Sequence, residues 1–159
     1  MRISSALVIL SAITIPAWAA PNFLPLDRPQ ARALVALDAH LVPTVVALWS
    51  SDCVHCKKNL GLFARMAQER LRFTLITVVT ERPAPELATL LDNLAVPGKR
   101  YAYGDDAPEA LAFALDPKWR GELPRTLFFD GRGNVTTVSG VVDRATAERL
   151  LGLKMLRSH

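Results

Sequence analysis

The sequence predicts a mixed α/β fold, a central mixed sheet flanked by helices on both faces. Three observations carry that prediction. Two continuous apolar, β-branched runs, residues 44–49 and 73–80, read as buried strands. Between them Leu60, Phe63, Ala64 and Ala67 repeat at helical spacing, while Lys57, Lys58, Arg65 and Glu69 fall elsewhere. Further on, residues 126–129 and 135–142 flank Gly131-Arg132-Gly133-Asn134 and read as an antiparallel hairpin.

Taken in order, the first twenty residues do not belong to the fold. Arg2, an apolar stretch over residues 3–15, and Pro16 before Ala17-Trp18-Ala19 have the layout of a secretory signal, with cleavage expected after Ala19. That stretch is shorter than the roughly 20 apolar residues a spanning helix needs. The periplasm is the expected destination and an uncleaved anchor the alternative; after cleavage no membrane span is expected. Residues 20–159 then form one domain of about 140 residues, enough for a sizeable core.

Asp27-Arg28-Pro29 opens the first helix, with Asp27 as cap and Ala33, Leu34 and Leu37 on one face. Pro43 introduces the first buried strand. A helix follows from Cys56 to about Arg70, then the second strand, a crossover helix over 83–94 and a short strand over 99–103. The next helix spans 107–115, capped by Asp105 or Asp106 and stopped by Pro117. After the hairpin, Asp143 caps a closing helix that ends near Lys154. The chain carries a formal charge of +4, but its basic residues are scattered and form no stripe with aromatics, so no nucleic acid is expected as a partner.

The chemistry concentrates at Cys53-Val54-His55-Cys56, which holds the only two cysteines of the chain. At a strand-to-helix junction, the partial positive charge and free N–H groups of the helix terminus favour a thiolate on Cys53. A purely structural disulfide closing so small a loop would remove little unfolded-chain entropy. Zinc needs four ligands, and His40, His55 and His159 form no familiar pattern with the pair, so no metal is expected. The pattern reads as a redox-active dithiol that needs no other cofactor.

Cys-x-x-Cys at such a junction, followed by Leu123-Pro124-Arg125-Thr126-Leu127-Phe128-Phe129-Asp130 and a glycine turn, resembles the thioredoxin fold. The resemblance implies that Pro124 is cis and faces the dithiol. Lacking an N–H, it would leave neighbouring backbone groups free to pair with an extended substrate, with Leu123 as part of that surface. The segment between the dithiol and Pro124 is longer than in thioredoxin and carries an extra helix and strand. In this the chain is similar to the exported TlpA-type branch, thiol reductases of cytochrome c maturation or copper-site assembly. Room is lacking for the large helical insertion of DsbA-like oxidases, and Ser50 stands where a peroxiredoxin has threonine.

Several residues depart from the branch or tune it. Asp52 replaces a common tryptophan; it either opposes the Cys53 thiolate or caps the helix. Asn59 replaces a glutamate thought to handle the proton of the buried thiol, and Glu122 is a nearby carboxylate if the fold is right. His55 stabilises a thiolate when charged, as at the same place in DsbA-like oxidases. Trp49 is expected to pack beneath the site, and Trp119 is either a groove wall or ordinary packing.

The resemblance implies a protein-disulfide oxidoreductase that acts on protein thiols and is recharged by a membrane electron donor of DsbD or CcdA type. The alternatives are a DsbA-like oxidase or isomerase and a copper chaperone using the two thiolates, which suit Cu(I).

Overall fold

The computed structural model describes residues 22–69 and 71–153. The expected leader, its cleavage site, and Arg70 and Lys154 at the predicted helix ends lie outside them. In chain order the elements are β1 (Leu24–Leu26), α1 (Arg28–Leu34), a 3-10 turn (Leu37–Ala39), β2 (Pro43–Trp49), α2 (Val54–Gln68), β3 (Thr74–Val79) and α3 (Pro85–Asn93). They continue with β4 (Lys99–Tyr103), α4 (Pro108–Leu115), β5 (Arg125–Asp130), β6 (Val135–Ser139) and α5 (Arg144–Leu150).

The two β-branched runs occupy the middle of one six-stranded sheet of order β1-β4-β3-β2-β5-β6. The first four strands in that order are parallel, and β5 and β6 run antiparallel to their neighbours. Both faces are covered, so β2 is buried from Thr44 to Trp49 and carries no polar alternation. Its side chains still divide by the two-residue period of a strand. Val45, Ala47 and Trp49 join Phe63 of α2, Leu87 of α3 and Ala147 of α5, whereas Val46 and Leu48 join Ala31 of α1 and Leu111 of α4.

Local signals set the helix starts. Asp27 accepts from the Gln30 N–H while the Gln30 side chain reaches back to the Asp27 N–H, a complete capping box with Pro29 in the first turn. Asp143 caps α5 by accepting from the Thr146 N–H at 2.7 Å. The expectation for α4 is corrected: Ala107 precedes it and no side chain caps it. Asp105 is drawn away by Arg82, and Asp106 accepts from the Arg28 N–H at 2.8 Å, which ties α4 to α1 instead.

One strand has no counterpart in the sequence reading. β1 pairs with β4, Leu24 opposite Tyr101 and Leu26 opposite Tyr103. Three residues around Pro25 give too little alternation to read, and a proline is tolerated there because β1 is an edge strand. The extra helix and strand lie where expected, between β3 and Pro124, with β4 extending the sheet beside β3. At the far end of the sheet Gly131, at φ +73°, lets the hairpin turn close on β2. A Cβ there would fall 2.8 Å from the Val42 backbone.

Candidate active site

Beyond Trp49 the chain leaves β2, turns through Ser50-Ser51-Asp52 and enters α2. Cys53 itself is the N-cap: its Sγ accepts from the Cys56 N–H at 3.1 Å, and its carbonyl accepts the first helical bonds. That corrects the reading of Asp52 as a cap. Its carboxylate is exposed and takes no hydrogen bond among the described residues, because the cysteine one position on already occupies the capping site. Cys53 and Cys56 are joined by a disulfide, with Cα atoms 5.2 Å apart. The two sulfur residues differ in access. Cys56 is 1 % exposed in the core with Trp49 and Phe63, whereas Cys53 is half-buried at the surface. Val54 and His55, between them, are exposed.

The structure brings Pro124 to this helix through two links. The Gly140 N–H donates to the Pro124 carbonyl at 2.9 Å. Gly140 in turn accepts from the Asn59 side-chain amide at 3.0 Å, while the Asn59 carbonyl oxygen accepts from the buried Val142 N–H at 3.0 Å. Asn59, 2 % exposed, is therefore a bridge between α2 and the loop that holds Pro124. Pro124 is buried, the Leu123–Pro124 peptide is cis, and Leu123 packs on both core clusters, touching the one that contains Cys56.

Trp119 and Glu122 belong to the loop leading into Pro124. The Trp119 Nε1–H donates to the Glu122 carbonyl at 2.7 Å, and the half-buried indole shares a hollow of about 230 Å³ with Leu123, Thr80, Tyr103 and Ala112. The indole thus packs and lines a groove at once. The Glu122 carboxylate is exposed and engages Ser139 at 2.6 Å, Arg125 and the Arg120 N–H, none of which is part of the dithiol. The Ser139 hydroxyl is the chief cause that holds it below the usual carboxylate range.

Two arrangements carry no sequence signal. Glu81, after β3, accepts from both the N–H and the hydroxyl of Ser51, two residues before the first cysteine. Arg125, directly after Pro124, forks onto the Asp116 carboxylate and also reaches Ser139 and Thr137. Ser51 and Glu81 are thirty positions apart and Asp116 and Arg125 nine, beyond the three- and four-residue spacings that mark a local pair. Among the described residues no group of three or more His, Cys, Asp or Glu side chains is placed to hold a metal.

The two cysteines of the pair thus differ in burial, Cys53 half-buried and Cys56 enclosed by the core.

No protein-family profile and no curated protein matches the sequence. Solved structures do. A secreted disulfide oxidoreductase of Mycobacterium tuberculosis, described as homologous to E. coli DsbE, superposes with a TM-score of 0.57 at 15% identity, over 72% of this chain and 84% of that one. A thiol:disulfide interchange protein of the thioredoxin family from Chlorobium tepidum gives 0.59 at 16% identity, over 75% and 89%. A thiol-disulfide isomerase from Corynebacterium glutamicum gives 0.55 at 18% identity, over 76% and 85%. The chain has the thioredoxin fold, with its Cys-x-x-Cys at the N-terminus of α2 and with α3 and β4 in the segment between β3 and Pro124.

Proposed function

We propose that the chain is an exported thiol-disulfide oxidoreductase of the TlpA-type branch, which reduces disulfides in partner proteins by dithiol exchange. The observation that carries this reading is the unequal access of the two sulfurs at the start of α2. In the reduced protein the Cys53 thiolate, accessible and favoured by the helix terminus, attacks one sulfur of a partner disulfide. A Cys53–partner bond forms and the partner's other sulfur leaves as thiolate, taking a proton from solvent. Cys56, sealed from outside thiols, then loses its proton and attacks Sγ of Cys53. The Cys53–Cys56 bond forms and the partner departs with both cysteines reduced. Two electrons pass to the partner, and a membrane donor of DsbD or CcdA type restores the dithiol.

The Leu123–Pro124 segment offers backbone to an extended partner chain, and Trp119 and Leu123 form a wall beside it. Asn59 does not titrate, so either water or another carboxylate takes the Cys56 proton, or the resolving step is slow. The signal-like leader and the similarity to a secreted oxidoreductase support a periplasmic setting. Cytochrome c maturation or copper-site assembly is the pathway class that the extra helix and strand favour.

The test is the equilibrium reduction potential of the Cys53–Cys56 pair at pH 7 against a dithiothreitol or glutathione buffer. A value at or below about −230 mV supports the reductase; one near about −120 to −150 mV replaces it with a DsbA-like oxidase in which His55 dominates. A pair that fails to close in oxidising buffer removes both and leaves Cu(I) binding by the two thiolates as the reading to pursue.

A further inference from the structure

Aliphatic side chains left bare by the fold are not spread evenly. Val54 lies between the two cysteines, Val141 follows Gly140, which bonds to the Pro124 carbonyl, and the aromatic Phe113 lies on α4. Leu37, Leu41, Val42 and Val135 lie toward the opposite end. Strand register fixes that placement. β2 runs from Pro43 to Trp49 and the dithiol follows Trp49, so Leu41 and Val42 precede the sheet about 20 Å from the site. Pro43 pairs with Asp130 and Phe129 with Val135, which puts the hairpin turn at the same end.

Leu41 is 81 % exposed and Val42 55 %. Beside them opens a hollow of about 500 Å³ lined by Leu24, Leu34, Val42 and Ile76, with Lys99 on its wall. Arg72, Lys99 and Arg132 are exposed at this end and make no ion pair among the described residues. The acids near it are Asp38, Asp92, which is paired with Arg100, and Asp130, whose carboxylate is taken up by the N–H groups of Arg132 and Asn134 and the Asn134 amide. Glu69 is paired with Arg144.

We propose that this pole docks on an anionic lipid bilayer, with Leu41 and Val42 entering the interface and Arg72, Lys99 and Arg132 meeting the headgroups. Exposed aliphatic tips bordered by unpaired cations suit a membrane surface, where burial of the apolar tips and attraction to anionic lipid add. A second copy of the chain fits poorly, since a two-fold contact would set the same cations against one another. The exposed tips also lack the aromatic anchors that dominate protein interfaces. Docked in this way, the chain holds its dithiol on the side away from the lipid. The inference is independent of the direction of thiol exchange.

Among the described residues every strand and helix lies between Leu24 and Leu150, and residues 20–159, which hold all of these, serve for the test. Co-sedimentation is measured with vesicles of phosphatidylcholine alone and with roughly one-third phosphatidylglycerol. Binding is expected to the anionic vesicles, to weaken with added salt, and to fall about tenfold or more in the double variant Leu41→Ser, Val42→Ser. Urea unfolding and disulfide reduction by dithiothreitol should not change in that variant. Arg72→Glu with Arg132→Glu should also reduce binding. No sedimentation above the vesicle-free control, equal binding to both vesicle types, or undiminished binding by the Leu41, Val42 variant would each overturn the proposal. So would a dimer in sedimentation velocity that the same variant abolishes, because the face would then serve a second copy.

Discussion

Replacing Asn59 by alanine should destabilise the protein by about 2–4 kcal/mol. Its side chain is the sole link between α2 and two backbone groups of another segment, the Gly140 carbonyl and the Val142 N–H, both at 3.0 Å. Losing the link strands each group, and a buried backbone group without a partner costs about 1–3 kcal/mol. Val142 lies toward the upper end because it is buried, and the partly exposed Gly140 toward the lower. Urea unfolding of the oxidised protein reads the change as a shift in midpoint at constant slope. The variant Asn59→Asp separates the two bonds. An introduced carboxylate accepts from Val142 but has no proton for Gly140; only the neutral acid makes both bonds. Folding therefore raises the pKa of this group above its unfolded value of about 3.9. The stability it confers is present below about pH 4 and is lost as pH rises through the folded value, so the variant should be nearest wild type in acid. A loss below about 0.5 kcal/mol for Asn59→Ala, or an Asn59→Asp deficit independent of pH, would refute the bridge.

Arg125→Ala should cost about 3–5 kcal/mol by urea unfolding, since it leaves the Asp116 carboxylate, 9 % exposed, without its partner. Arg125→Lys should recover only part of this, because an ammonium cannot reproduce the fork. Burial pushes the Tyr103 phenol up to about 12, so the stability tied to keeping it neutral is intact below about pH 10 and is lost as pH rises through about 12. Tyrosinate absorbance of wild type against Tyr103→Phe measures it, and ionisation of Tyr103 near 10 would contradict its burial. Cys56→Ser should accumulate a mixed disulfide on Cys53 with protein partners, visible by non-reducing electrophoresis. Cys53→Ser should trap almost none, because Cys56 is sealed; equal trapping by both would reverse the assigned roles.

What was legible in the sequence was whatever short-range chemistry decides. Asp27 and Asp143 cap the helices assigned to them because each cap needs only its own next three residues. The buried strands showed in their β-branched runs, and the dithiol showed in its spacing. Reading failed where a distant partner decides the outcome. Asp106 has the composition of a cap, but Arg28, at the start of α1 on the same face of the sheet, claims it. Asp52 stood in a capping position that Cys53 fills with its own sulfur. Asn59 looked like a lost proton carrier, and its role as a bridge rests on Gly140 and Val142, more than eighty positions on. Glu81 with Ser51, and Arg125 with Asp116, were unreadable for the same reason.

The pairing of β1 with β4 imposes an order on assembly. Leu24 is among the first residues of the fold to be synthesised, yet the strand it joins begins only at Lys99. Three residues around a proline cannot hold a strand conformation while they wait, so this edge closes late. The two cysteines need no such delay. Three positions apart, they can meet in the nascent chain long before Leu123 and Pro124 are made. A chain growing into an oxidising compartment would carry its disulfide into folding, and the unfinished N-terminal edge, with Leu24 to Leu34 still unanchored, would be the stretch most open to proteases until β4 arrives.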